Sequence, residues 1–181
     1  KEGYIYTGFR HFPVFELDVS GAPAIWLVRD PRDMLVSLYY SLQKSHTIPK
    51  GLVAMVKSRQ EANNTDINQF VINRAPVFVK QFQRYMDNLQ INDTVIYRYE
   101  DVIYKKKEWL QDIVEALKIK HDRKHLKNIA NHFDVIPKAE SKGEHIRQVH
   151  PGNHKEKLTE QTTKQHNTIL SDFLAYFNYQ N

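Results

Sequence analysis

No cysteine occurs among the 181 residues, so disulfides, thiol nucleophiles and thiolate metal sites are excluded. No apolar run approaches the length needed to span a bilayer, and nothing reads as a signal peptide. The chain holds only six glycines, and none falls in a Gly-x-x-x-x-Gly-Lys-Ser/Thr phosphate loop. Zinc-finger spacing, an RNA-binding aromatic signature and a basic heptad repeat are all missing, so a nucleic-acid partner is not expected. No acidic residue joins His121 and His125 (spaced i, i+4) as a third ligand, and their pairing reads as a solvated face rather than a metal site.

What is present describes one folded domain over residues 1–181. Hydrophobic residues make up 41% and mean hydropathy is −0.61, which suits a soluble globular chain with one sizeable core. A cytoplasmic location is the default expectation. The net charge of +5 suits an anionic ligand. Lys105–Lys107 form the single basic run and read as a solvated face.

The order of elements reads as mixed α/β. Strands are expected at Tyr4–Gly8, Ala24–Arg29 and Thr94–Tyr99. Helices are expected at Pro31–Lys44, Leu52–Lys57, from about Asp66 to Asn88, Lys106–Leu117, Arg123–His132 and Thr159 to about Phe177. Pro76 is expected to start, kink or interrupt the long third helix. Residues 136–155 read as irregular, polar and basic. Strands alternating with helical stretches argue for a mostly parallel sheet with crossover helices.

The stretch Trp26-Leu-Val-Arg-Asp-Pro-Arg-Asp-Met-Leu-Val-Ser-Leu-Tyr-Tyr-Ser41 carries the most chemistry. An apolar run ends in Arg29, and Asp30-Pro31 then opens a helix, with Asp as N-cap and Pro at its first position. Ser37 follows eight positions after Arg29, about two turns into that helix, on a face shared by Asp33, Tyr40 and Lys44. A guanidinium beside a helix N-terminus is a ready anion site. An ordinary amphipathic helix with a surface arginine is the plain alternative.

This segment resembles the 3′-phosphate-binding segment of sulfotransferases that use 3′-phosphoadenosine 5′-phosphosulfate (PAPS). The resemblance assigns Arg29 and Ser37 to the 3′-phosphate. Three further segments follow the family's order. His11-Phe-Pro13 is similar to its His-Leu-Pro, which implies that His11 is the base that deprotonates the acceptor; Phe9 stands where the family often has Lys. Tyr97-Arg-Tyr-Glu-Asp101 resembles its Tyr-Glu-Asp, which implies that Tyr99 lies by the adenine. The plain reading there is a half-buried strand tyrosine, with Glu100 and Asp101 capping the next helix. Arg147-Gln-Val-His-Pro-Gly-Asn-His-Lys155 resembles the loop that closes over the 3′-phosphate, which implies a contact from Arg147. Gln148, Val149, Asn153 and His154 replace its Lys, Gly, Asp and Trp.

The resemblance implies a P-loop-NTPase-like parallel sheet flanked by helices. It implies sulfuryl transfer from PAPS to a hydroxyl, or an amine, of a small-molecule, lipid or carbohydrate acceptor. The product would be 3′-phosphoadenosine 5′-phosphate, and no metal is implied. Nothing matches the family's N-terminal strand and Pro-Lys-Ser-Gly-Thr-Thr loop, so the chain is expected to be the C-terminal portion of such a domain. A related nucleotide kinase and a non-catalytic nucleotide-binding module are the rivals. The kinase would need a phosphate-loop Lys and a magnesium-binding acid, and neither is visible.

Overall fold

The structure, a computed structural model, describes residues 21–45, 47–48, 51–88, 94–137, 140 and 148–179. The expected strand at Tyr4–Gly8, His11 and Arg147 lie outside the described residues. Strand β1 spans Ala24–Val28. It leads into α1, Pro31–Tyr40, which continues as a π-helical turn over Ser41–Ser45. Two helices follow, α2 at Val53–Asn64 and α3 at Ile67–Asn88. They bring the chain to β2, Thr94–Arg98.

β1 and β2 pair in parallel, in a register that sets Ala24 against Thr94 and Val28 against Arg98. The helical crossover between them is what a parallel pair requires. Side chains alternate across the strands. Trp26, Val28 and Ile96 join the hydrophobic core, whereas Leu27 and Val95 are exposed on the other face. Helix α5, Lys106–Ala116, reaches that face through Trp109, whose ring packs edge-on against Tyr97 at 6.0 Å.

Short helices complete the chain. They are α4 at Tyr99–Val102, α6 at Arg123–His132, α7 at Asn153–Lys157, α8 at Glu160–Ile169 and α9 at Ser171–Tyr176. The core joins α1, α3 and the C-terminal helices through Leu35, Val36, Phe70, Val71, Phe82, Leu170, Phe173 and Leu174. Among the described residues no helix is long and apolar enough to cross a membrane.

Several boundaries differ from expectation, for local reasons. Helix α2 runs seven residues past Lys57, and its end is capped where the Thr65 N–H and hydroxyl both bond to Glu61 O. Pro76 sits inside an unbroken α3 on its exposed side, where water can meet the Ile72 carbonyl that proline leaves without a donor. The expected terminal helix divides at Leu170, which ends α8 and starts α9 at φ −97° and ψ 7°. His121 precedes α6, so it shares no helix face with His125.

Candidate functional site

The strand register brings the first two site residues together. Val28 pairs with Arg98, so Arg29 and Tyr99 leave neighbouring strand ends side by side. The Arg29 guanidinium lies over the Tyr99 ring, 4.5 Å from its centroid, within cation–π range. Arg29 Nε is buried and has no hydrogen-bond partner among the described residues. Among the described residues no carboxylate pairs with it. A buried, unpartnered guanidinium nitrogen costs free energy unless something accepts from it.

Asp30 and Asp33 beside Arg29 are already engaged. Asp30 caps α1 by accepting from Arg32 N at 2.9 Å, and its carboxylate is gripped by Arg32 Nε and Nη2. Arg32 also donates through Nη1 to Asn167 Oδ1 on α8. Asp33 is 1% exposed and accepts from Gly152 N at 2.6 Å, His154 N at 2.9 Å and His154 Nδ1 at 2.7 Å. Burial pushes its carboxyl pKa up, but the bonds from His154 and Gly152 outweigh this and hold it below the ordinary 3.8. Asp33 is therefore ionised at neutral pH.

Glu100 corrects an expectation. It does not act as a helix cap: Oε1 accepts from Asp30 N at 2.9 Å and Oε2 from the Tyr179 hydroxyl at 2.8 Å. The residue after Tyr99 thus ties the end of β2 to the end of β1 and to the C-terminal segment. Burial and this bond push the Tyr179 phenol well above its ordinary pKa.

Tyr99 is half-buried, and its hydroxyl donates to Val149 O at 2.8 Å. Burial raises its pKa, with Arg29 pulling the other way. Tyr104 Oη and His150 Nδ1 lie 2.6 Å apart. Residues 148–154 are therefore anchored from two elements, α1 through Asp33 and the strand-end segment through Tyr99 and Tyr104. Gly152 turns this loop into α7 at φ +89°, a left-handed conformation that favours glycine. A Cβ there would meet nothing within 4 Å, so the backbone angle, not space, sets the requirement. Val149, which replaces a glycine of the resembling motif, has no positive φ.

Ser37 lies half-buried in the second turn of α1, one turn beyond Asp33 on the same face. It shares no hydrogen bond with Arg29 among the described residues. Arg29 and Tyr99 are thus in direct contact, and Ser37 stands on the adjoining helix. Arg32, Asp33, Glu100, Tyr104 and His154 complete the cluster and were not singled out as site residues. The signal for Asp33 was present in its place on the Ser37 face, but its partners lie 119 and 121 residues away.

A family model described as "Sulfotransferase domain" matches residues 20–172. The chain belongs to the sulfotransferase family. Arg29, Ser37, Tyr99 and Arg147 fall inside the matched stretch, and His11 precedes it. Sulfuryl transfer is thus the class of reaction for this sulfotransferase domain, carried on a helix-rich α/β fold with a small parallel sheet. No curated protein and no solved structure matches the chain. Among the described residues no group of three or more His, Asp or Glu side chains is placed to hold a metal ion.

Proposed function

We propose that this sulfotransferase moves a sulfuryl group from PAPS to a hydroxyl, or an amine, of a small-molecule, lipid or carbohydrate acceptor. The observation that carries the reading is Arg29. Its Nε is buried with no hydrogen-bond partner among the described residues, at the junction of β1 with the start of α1, while Asp30, Asp33 and Glu100 around it are engaged by other groups. A phosphate oxygen would satisfy that nitrogen with a charge-assisted bond. Ser37 and Arg147 would add a hydroxyl and a second guanidinium to the same 3′-phosphate, and Tyr99 would offer an aromatic plane near the adenine.

His11 would take the proton from the acceptor hydroxyl. The acceptor oxygen then forms the new S–O bond while the bond from sulfur to the 5′-phosphate oxygen breaks, releasing 3′-phosphoadenosine 5′-phosphate. Positioning and charge stabilisation carry most of such a transfer.

Calorimetry with 3′-phosphoadenosine 5′-phosphate against AMP tests the reading. The 3′-phosphorylated nucleotide is expected to bind more tightly, and Arg29→Ala is expected to erase most of that difference. Equal loss for both nucleotides would sink the assignment. His11→Ala should abolish sulfation while leaving nucleotide affinity nearly intact. Binding without any turnover in the unaltered chain would reassign it as a nucleotide-binding module.

A further inference from the structure

Arg29, Asp33 and Ser37 recur every four residues. The outer two are the groups assigned to the 3′-phosphate, and the middle one is a buried acid. A carboxylate is a poor neighbour for a phosphate, so its presence needs a cause. Among the described residues, its three acceptor contacts all go to residues 152–154, and none goes toward Arg29. Its negative charge is therefore spent on the loop.

We infer that Asp33 is a positioning residue, which holds residues 148–154 against α1 and so sets the spacing of the groups that grip the donor's 3′-phosphate. The inference rests on the reading of the donor as a 3′-phosphorylated adenylate. The contacts form a closed circuit. Arg29 lies on Tyr99, Tyr99 donates to Val149 O, Gly152 and His154 donate to Asp33, and the backbone of residues 29–33 returns to Arg29. A shift of the loop away from α1 must break a bond to Asp33, or drag Tyr99 from beneath Arg29. His154 supplies two of the three donors, one from its backbone and one from its ring. The ring is 2% exposed, so water does not compete for the bond.

The test uses the whole 181-residue chain and two variants, Asp33→Asn and His154→Ala. The asparagine keeps the shape but sets an N–H among three converging donors and removes the charge. Asp33→Asn is expected to weaken binding of 3′-phosphoadenosine 5′-phosphate roughly tenfold, with little change for AMP. Amide hydrogen exchange should accelerate in residues 148–154 and stay unchanged in α3. A preserved preference for the 3′-phosphorylated nucleotide in folded Asp33→Asn would overturn the inference. So would faster exchange throughout α3, which marks a general structural role.

If Asp33→Asn does not fold, His154→Ala carries both readouts, because it removes the ring bond and leaves both amide bonds. Its nucleotide preference should fall by less than that of Asp33→Asn, and an unchanged preference would overturn the inference. An unaltered chain that shows no preference between the two nucleotides refutes the donor assignment instead. The exchange pattern then decides by itself whether Asp33 holds the loop.

Discussion

Two regions lie on either side of the C-terminal end of β1, and they are held together by different physics. In the core, Trp26 stacks on Tyr85 at 5.3 Å and meets Phe177 edge-on at 5.2 Å. Phe173 contacts Phe82 at 4.8 Å and Phe177 at 4.6 Å. These contacts are numerous and non-directional, and each ring has several neighbours. At the strand ends the contacts are few and directional: Arg32 on Asp30, Glu100 on Asp30 N, the loop on Asp33. Arg29 and Arg32 sharpen the contrast, since they are the same residue type three positions apart. Arg32 is spent on structure, with its charge matched. Arg29 is stacked, buried at Nε and, among the described residues, unmatched. A residue of the core should therefore report on stability, and a residue of the strand ends on ligand preference.

The largest expected effect tests the core. Phe70 is fully buried, and Phe70→Ala should cost about 3–5 kcal/mol in denaturant unfolding. The preference between nucleotides should survive in whatever fraction folds. A lost preference in folded protein would break the division between the regions.

The next effect lies where the regions meet. His166 on α8 is fully buried, and neither ring nitrogen has a hydrogen-bond partner among the described residues. Burial first, then the Arg32 charge, push its pKa from 6.5 down to about 4. The folded state thus prefers the neutral ring, while the unfolded chain takes up a proton as pH falls through 6.5. Stability is complete above that pH and declines toward pH 4, by on the order of 3 kcal/mol. Urea unfolding of the unaltered chain and of His166→Leu at pH 7.5 and 4.5 should differ in slope with pH; parallel curves would refute it. Asp33 adds a loss only at lower pH, because its folded-state pKa lies below the ordinary carboxylate value.

At the strand ends, Arg29→Ala should remove about 1.5–3 kcal/mol of affinity for the 3′-phosphorylated nucleotide, seen by calorimetry. It should change folding stability by less than about 1 kcal/mol, since among the described residues its side chain is held by the cation–π contact with Tyr99. A large fall in melting temperature would move Arg29 to the structural side of the comparison. The smallest effect belongs to Tyr99→Phe, which deletes only the bond to Val149 O and should cost about 1 kcal/mol. Hydrogen exchange should locate that loss in residues 148–152 rather than in the core.

How much was legible follows sequence distance. The Asp30-Pro31 start of α1 was readable, and Asp30 does accept from Arg32 N. So were α6, found at the expected Arg123–His132, and the start of the terminal helix at Thr159, whose hydroxyl accepts from Thr162 N. Each of these is decided within about four residues. The unbroken α3 and the division at Leu170 were not, because proline tolerance and helix breaks depend on which side faces water or core. The Arg29–Tyr99 contact was half legible. Both strand ends could be read, but only the register between strands sets them side by side.

The residue order alone determined where β1 stops and α1 starts, and hence that Arg29 and Ser37 stand eight positions apart around a helix N-terminus. It also determined the family resemblance that the match over residues 20–172 bears out. Tertiary structure decided which of two nearby arginines is matched, that Glu100 clamps a strand end rather than capping a helix, and that Asp33 turns its charge on a loop 119 to 121 residues away. The physical reason is range. Caps and periodicities are settled by neighbours along the chain, whereas a buried charge is settled by whatever donors the completed fold carries to it.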